Sequence, residues 1–128
     1  MAEVTLLYNL PKKVMPYFKI SMNKLLSGEQ KHRALKSMHQ LVVEALKKPD
    51  RFVMTSIADS QAMHFGLSDD PVAFVEFKSI GLPDTKTLSA AICDLIMKEF
   101  DIEPDRVYIE FVDEPRHMFG HNRTTFEK

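Results

Sequence analysis

Two stretches of the chain, Lys48-Pro49-Asp50-Arg51-Phe52-Val53-Met54 and Glu103-Pro104-Asp105-Arg106-Val107-Tyr108-Ile109, carry the same triplet, Pro-Asp-Arg, just ahead of strand-forming residues. A second pair of prolines, Pro16 and Pro71, opens the apolar runs Pro16-Tyr17-Phe18-Lys19-Ile20 and Pro71-Val72-Ala73-Phe74-Val75. Both pairs of prolines are 55 residues apart. A fixed internal spacing is the mark of a repeated supersecondary unit.

Working outward, each triplet reads as a joint between a helix and a strand. Proline biases the preceding residue away from helical backbone, and aspartate favours the turn that follows. Upstream of the first joint, Ser27-Gly28-Glu29-Gln30 has the form of a capping box. The helix it opens places Leu35, Met38, Leu41, Val42, Ala45 and Leu46 on one face. Upstream of the second joint, Leu88, Ala91, Ile92, Leu95 and Ile96 make the matching apolar face. Asp94 and Lys98 form a solvent-side pair one turn apart. Strands are expected over 18–22 and 52–57 in the first unit, and over 72–77 and 107–111 in the second. A strand–helix–strand crossover favours parallel pairing within a unit.

The predicted fold is therefore α+β: two pseudo-repeated βαβ units forming a four-stranded mixed sheet with two helices on one face. Strand 72–77 alternates Val72, Phe74 and Glu76 against Ala73, Val75 and Phe77, so both of its sides read as largely apolar. With no further helices to cover the second side, association with other copies of the chain is the expected way to bury it.

Composition excludes several classes of function. The 128 residues suit one domain with a core of its own. A net charge of −1 offers no field for nucleic acid. No apolar run approaches the roughly 20 residues needed to span a bilayer. The single cysteine, Cys93, rules out an internal disulfide and a cysteine-rich metal site. His117 and His121 have a metal-compatible spacing, but Gly120 and Asn122 between and beside them mark a loop, and they read as surface histidines. The N-terminal stretch has its lysines after its apolar patch, unlike a signal peptide. Cytoplasm is the default location, with secretion independent of a signal peptide as the alternative.

Met15-Pro16, Lys48-Pro49, Met63-x-Phe65-Gly66-x-Ser68, Asp70-Pro71-x-Ala73, Ser79-Ile80-Gly81, Asp105-Arg106-Val107-Tyr108-Ile109 and Thr125-Phe126 occur in an order and spacing that resemble the macrophage migration inhibitory factor (MIF) and D-dopachrome tautomerase family. The resemblance implies an N-terminal extension, residues 1–15, followed by a MIF-like domain, residues 16–128, and it implies that the assembly is a homotrimer. It implies keto–enol tautomerisation of a small aromatic keto or enol acid, of the phenylpyruvate or dopachrome type, with no cofactor and no metal. The implied base is the amine of Pro16. Lys48 would hold the substrate carboxylate, Ile80 would stand on the pocket wall, and Tyr108 would come from a neighbouring subunit. A free α-amino group titrates at about 7.7–8.0, and burial beside a cation lowers that value, leaving a neutral base.

Four departures from the family pattern follow from the same match. Fifteen residues precede Pro16, and a proline within a chain is a tertiary amide with no basic nitrogen. Glu110 replaces an asparagine near the pocket and adds a charge that repels acidic substrates. His121 takes the place of a pocket-edge tryptophan. Val72 and Val75 replace a Cys-x-x-Cys, removing the associated thiol chemistry. The alternative implied function is a catalytically silent, cytokine-like trimer that binds a receptor or another protein partner.

Overall fold

The computed structural model describes residues 16–47 and 50–127. The N-terminal extension, residues 1–15, and the expected site residue Lys48 lie outside the described residues.

The chain runs through β1 (Tyr17–Met22), α1 (Gly28–Leu46), a 3-10 turn (Asp50–Phe52) and β2 (Met54–Ala58). It repeats the order in β3 (Ala73–Ser79), α2 (Thr85–Phe100), a 3-10 turn (Pro104–Arg106) and β4 (Val107–Asp113). A further 3-10 turn (Arg116–Met118) leads into a short hairpin, β5 (Gly120–His121) and β6 (Thr124–Thr125). A 3-10 turn thus leads into the strand in both units, over Asp50–Phe52 in the first and over the Pro104–Arg106 triplet itself in the second. In the first unit that turn takes up residues 50–52, so β2 starts two residues later than the expected strand at Phe52.

Local chemistry sets the helix ends. Ser27 accepts from the Gln30 N–H, and the Gln30 side chain accepts in return from the Ser27 N–H, which completes the expected capping box. Asp84 caps α2 by accepting from the Lys86 N–H. Both helices end on a left-handed residue that is not glycine, Lys47 and Asp101, each with φ 56°. Each donates its N–H back to the carbonyl four residues earlier, Val43 and Met97. The two units therefore share their joints and their terminations.

The sheet order is β2-β1-β3-β4, with β1 parallel to β2, β3 parallel to β4, and β1 antiparallel to β3. Side chains alternate across a strand. Phe18, Ile20 and Met22 of β1 and Ala73, Val75 and Phe77 of β3 face the helices and are buried. They meet Ala34, Met38, Val42 and Leu46 of α1 and Leu88, Ile92, Leu95 and Ile96 of α2. The rings of Phe18 and Phe77 are 5.4 Å apart across the central pair. Each fully buried side chain of this size contributes about 1.5–3 kcal/mol. Between the helices, Arg33 Nε and Ser37 Oγ reach the Glu99 carboxylate at 3.3 and 3.1 Å.

The open face of the sheet corrects one expectation. It is not largely apolar. Val72 precedes β3 and is buried, and the register sets Lys19, Glu76 and Glu110 side by side across the middle of the face, with Ser56 beyond Lys19. Apolar groups flank this charged row only at the strand ends, Tyr17 and Met54 at one end and Phe74 and Tyr108 at the other.

Asp59, just past β2, ties the two ends of the first unit together. Its Oδ2 accepts from the Leu26 N–H at 2.9 Å, and Lys31 Nζ lies 3.2 Å from Oδ1. The Leu26 hydrogen bond, with help from Lys31, holds the Asp59 carboxyl below the usual carboxylate range. A folded-state value below the unfolded one gives stability that is present above the unfolded pKa and is lost as pH falls through the folded one. Asp59→Ala is therefore expected to lower the melting temperature at neutral pH. Thermal melts should show that difference shrinking as pH drops below about 4, the unfolded value of an aspartate.

Candidate functional site

Pro16 is buried at the entrance to β1, and its carbonyl accepts from the Met54 N–H at 3.1 Å. It forms part of the wall of a cleft of about 430 Å³ at the end of the open sheet face. The sheet contributes Tyr17, Met54 and Lys78 to this cleft, and Phe52 enters from the 3-10 turn before β2. The segment after β4 folds over the cleft and contributes Glu114, Met118, Phe119 and Gly120.

That overlying segment is anchored from several sides. The Glu114 N–H donates to the Ser79 carbonyl at 2.9 Å, and Asp113 Oδ1 accepts from the Gly81 N–H at 2.8 Å. Gly81 has φ 83°, backbone that favours glycine, which accounts for the glycine of the Ser79-Ile80-Gly81 motif. Farther on, Asn122 and Arg123 both have positive φ, the geometry of a tight hairpin turn, and join β5 to β6. Phe126 returns beneath, donating its N–H to the carbonyls of Arg116 and Phe119, with its ring 6.2 Å from Phe119 and stacked on His121 at 5.8 Å. The Thr125-Phe126 motif thus serves to pin Phe119 over the cleft.

The remaining expected site residues are distributed differently. Ile80 is buried at the end of β3 but is not among the residues that surface in the cleft. Tyr108 and Glu110 project from β4 on the open face and are exposed. The register puts Tyr17, Lys78 and Val112 in one row and Ser21, Phe74 and Tyr108 in another, four residues along the strands. At about 3.3 Å per residue that is roughly 13 Å. Pro16 and Tyr108 of one chain thus stand at opposite ends of the same face. Val72 and Val75, the residues in place of the cysteine pair, are core. His117 and His121 are exposed. Among the described residues no three His, Cys, Asp or Glu side chains cluster in a way that could hold a metal ion.

Tyr108 belongs to a separate hollow with Met63, His64, Phe65, Gly66 and Phe74. Its ring lies 4.8 Å from that of Phe65. Arg106, the arginine of the second joint, organises this end. Its guanidinium donates to the carbonyls of Phe65, Ser68, Asp70 and Pro71 and lies 5.2 Å from the Phe65 ring centroid. Asn23 closes the loop from the other side, donating to the Asp69 and Asp70 carbonyls and accepting from the Val72 N–H. The glycine of Phe65-Gly66 sits at φ 60° in the turn that pairs Phe65 with Ser68.

Sequence reasoning missed Phe52, Met54, Lys78, Glu114, Met118 and Phe119 as cleft residues. The period-2 alternation of β3, extended by one residue, would have placed Lys78 on the open face with Phe74 and Glu76, though not beside Tyr17. Nothing local marks Met118 and Phe119, which reach the cleft only because the chain turns back after β4.

Arg106→Ala is expected to destabilise the fold by roughly 2 kcal/mol, since it leaves carbonyls without a charged donor. Hydrogen exchange should speed up at the Phe65 and Ser68 amides while the amides of α1 keep their protection.

The comparisons with known proteins follow this geometry. Residues 15–127 match the family Macrophage migration inhibitory factor (MIF). A macrophage migration inhibitory factor homolog of Brugia malayi is 36% identical over 115 residues, spanning 88% of this chain and 99% of the relative. Macrophage migration inhibitory factor of Xenopus tropicalis is 33% identical over the same shares. Among solved structures, the Prochlorococcus marinus homologue superposes with a TM-score of 0.82 at 32% identity, covering 87% of this chain and 99% of that one. The Trichinella spiralis protein gives 0.78 at 30%, covering 85% and 98%. The chain belongs to the macrophage migration inhibitory factor family, within the tautomerase superfamily.

Proposed function

We propose that the chain is a keto–enol tautomerase acting on small aromatic keto or enol acids of the phenylpyruvate or dopachrome type, with the amine of Pro16 as its base once residues 1–15 are removed or not translated. The observation that carries this reading is the position of Pro16, buried at the strand entrance in the wall of a cleft faced with Phe52, Met54, Met118 and Phe119. Apolar walls disfavour a protonated amine. A neutral secondary amine takes a proton from the carbon next to the substrate carbonyl and returns it at the other end of the enol. The aromatic and thioether side chains accept a flat ring. Lys48 is assigned to the substrate carboxylate on the strength of the family match.

The site is completed between subunits in this reading. Tyr108 stands roughly 13 Å along the strands from the Pro16 end, so it reaches a Pro16 cleft only on another copy. A homotrimer closed by rotation presents the Tyr108 end of one sheet to the Pro16 end of the next. Glu110, two residues along β4 from Tyr108, travels with it and disfavours acidic substrates. Sedimentation equilibrium of the full chain at micromolar concentration is expected to give about three times the 14.7 kDa chain mass. A clean monomer would remove Tyr108 and Glu110 from the site.

The second reading, a binding trimer without chemistry, is favoured by one feature, the fifteen residues ahead of Pro16. Joined to Met15, the Pro16 nitrogen is an amide and cannot act as a base. A chain started at Met15, with that methionine removed, is expected to tautomerise phenylpyruvate, while the full chain is close to inactive, with intact masses checked in both. Pro16→Gly in the shorter chain keeps a free amine of different basicity and should retain only weak activity. Equal activity of the two chains would assign the reaction to another base. A folded, trimeric shorter chain without turnover of any keto–enol substrate would establish the binding reading.

A further inference from the structure

We propose that Lys78 is a second carboxylate-binding residue of the Pro16 cleft, acting beside Lys48, and strengthens its preference for anionic over neutral substrates. The assignment refines the tautomerase reading and rests on it for the identity of the substrate. Lys78 lies directly across the β1–β3 pair from Tyr17, one residue from Pro16, on the open face that floors the cleft. Among the described residues that line the cleft it is the one cation, and the rest of the wall is mainly aromatic and aliphatic. An ammonium at the edge of an apolar slot fits a flat ring carrying a carboxylate, and no other charge in the described cleft attracts that group.

The cation is available. Its near neighbour is Glu76 on the same strand face, with Nζ 3.8 Å from Oε1, beyond hydrogen-bonding distance, and the Lys78 side chain is 37% exposed. An exposed pair at that separation is weak and screened, so an incoming carboxylate competes with it on even terms. Glu76 and the cleft's own Glu114 reduce the net positive field, which limits the expected effect to a few-fold rather than the hundredfold of a buried pair. Lys78 also offsets the like-charge repulsion that Glu110 of a neighbouring copy introduces.

The test uses ligands that do not react. Every member of the buried core cluster lies within residues 18–102, and relatives about 115 residues long consist of this domain alone, so the chain that starts at Met15 keeps the whole fold. With that chain, binding of 3-phenylpropanoate and of its methyl ester is measured by calorimetry at low ionic strength. The acid is expected to bind about three- to tenfold more tightly than the ester. Lys78→Met and Lys78→Gln should lower the ratio of acid to ester affinity several-fold, leaving the share that belongs to Lys48, and Lys78→Arg should keep the ratio. Unchanged circular dichroism of the variants excludes a folding defect. An unchanged ratio of acid to ester affinity in Lys78→Met, or failure of the wild-type cleft to bind either ligand, would overturn the proposal. Failure of the tautomerase reading looks different: phenylpyruvate is not turned over, while the preference for the acid and its dependence on Lys78 remain.

Discussion

The antiparallel contact between β1 and β3 is the constraint on which the rest of the molecule depends. Each βαβ unit is internally parallel and presents a two-stranded ribbon with one helix. Neither ribbon buries its apolar face alone. Pairing the inner strands from Tyr17↔Lys78 to Met22↔Ala73 brings Phe18 against Phe77 and makes one continuous core beneath two helices. A one-residue slip would turn Phe18, Ile20 and Met22 to the open side, so the register is strongly specified. The same register sets Lys78 beside Tyr17 and fixes the floor of the cleft.

Because the two inner strands run in opposite directions, equivalent ends of the two units lie at opposite ends of the sheet. Pro16 opens one unit and Pro71 the other, and they are separated by the length of the strands. The pseudo-repeat has thus diverged into two different ends. At one, the chain after β4 folds over Pro16 and forms a cleft. At the other, Arg106 gathers four backbone carbonyls and holds Phe65 against Tyr108. One arginine in a fork of donors satisfies a loop that would otherwise bury unpaired acceptors. That loop then carries the aromatic pair as a rigid projection, suited to filling a hollow on another copy.

The open face itself is divided by charge. Lys19, Glu76 and Glu110 cross its middle, with apolar groups only at the ends. Such a surface does not collapse on another sheet as an apolar layer would. Its large exposed apolar side chains, Met54, Phe74 and Tyr108, lie at the strand ends.

Much of this was present in the sequence by itself. The two Pro-Asp-Arg joints, the Ser27–Gln30 capping box and the helical spacing of Met38, Val42 and Leu46 are local signals, set by backbone preference and period, and they determined the elements, their order and the repeat. Family resemblance then named Pro16, and the fold brings it to a cleft. What only the tertiary structure decided was which side of each strand meets the helices and which residues from distant segments share a cavity. The open face read as apolar because Val72 was counted on it, whereas that residue precedes the strand and is buried beside the hollow of Phe65, Phe74 and Tyr108. Phe52, Lys78 and the Met118–Phe119 pair come from three separate segments, and no local pattern links them. Their meeting depends on the β1–β3 register and on the return of the chain after Asp113, both of them long-range contacts that a period of two or of 3.6 residues does not encode.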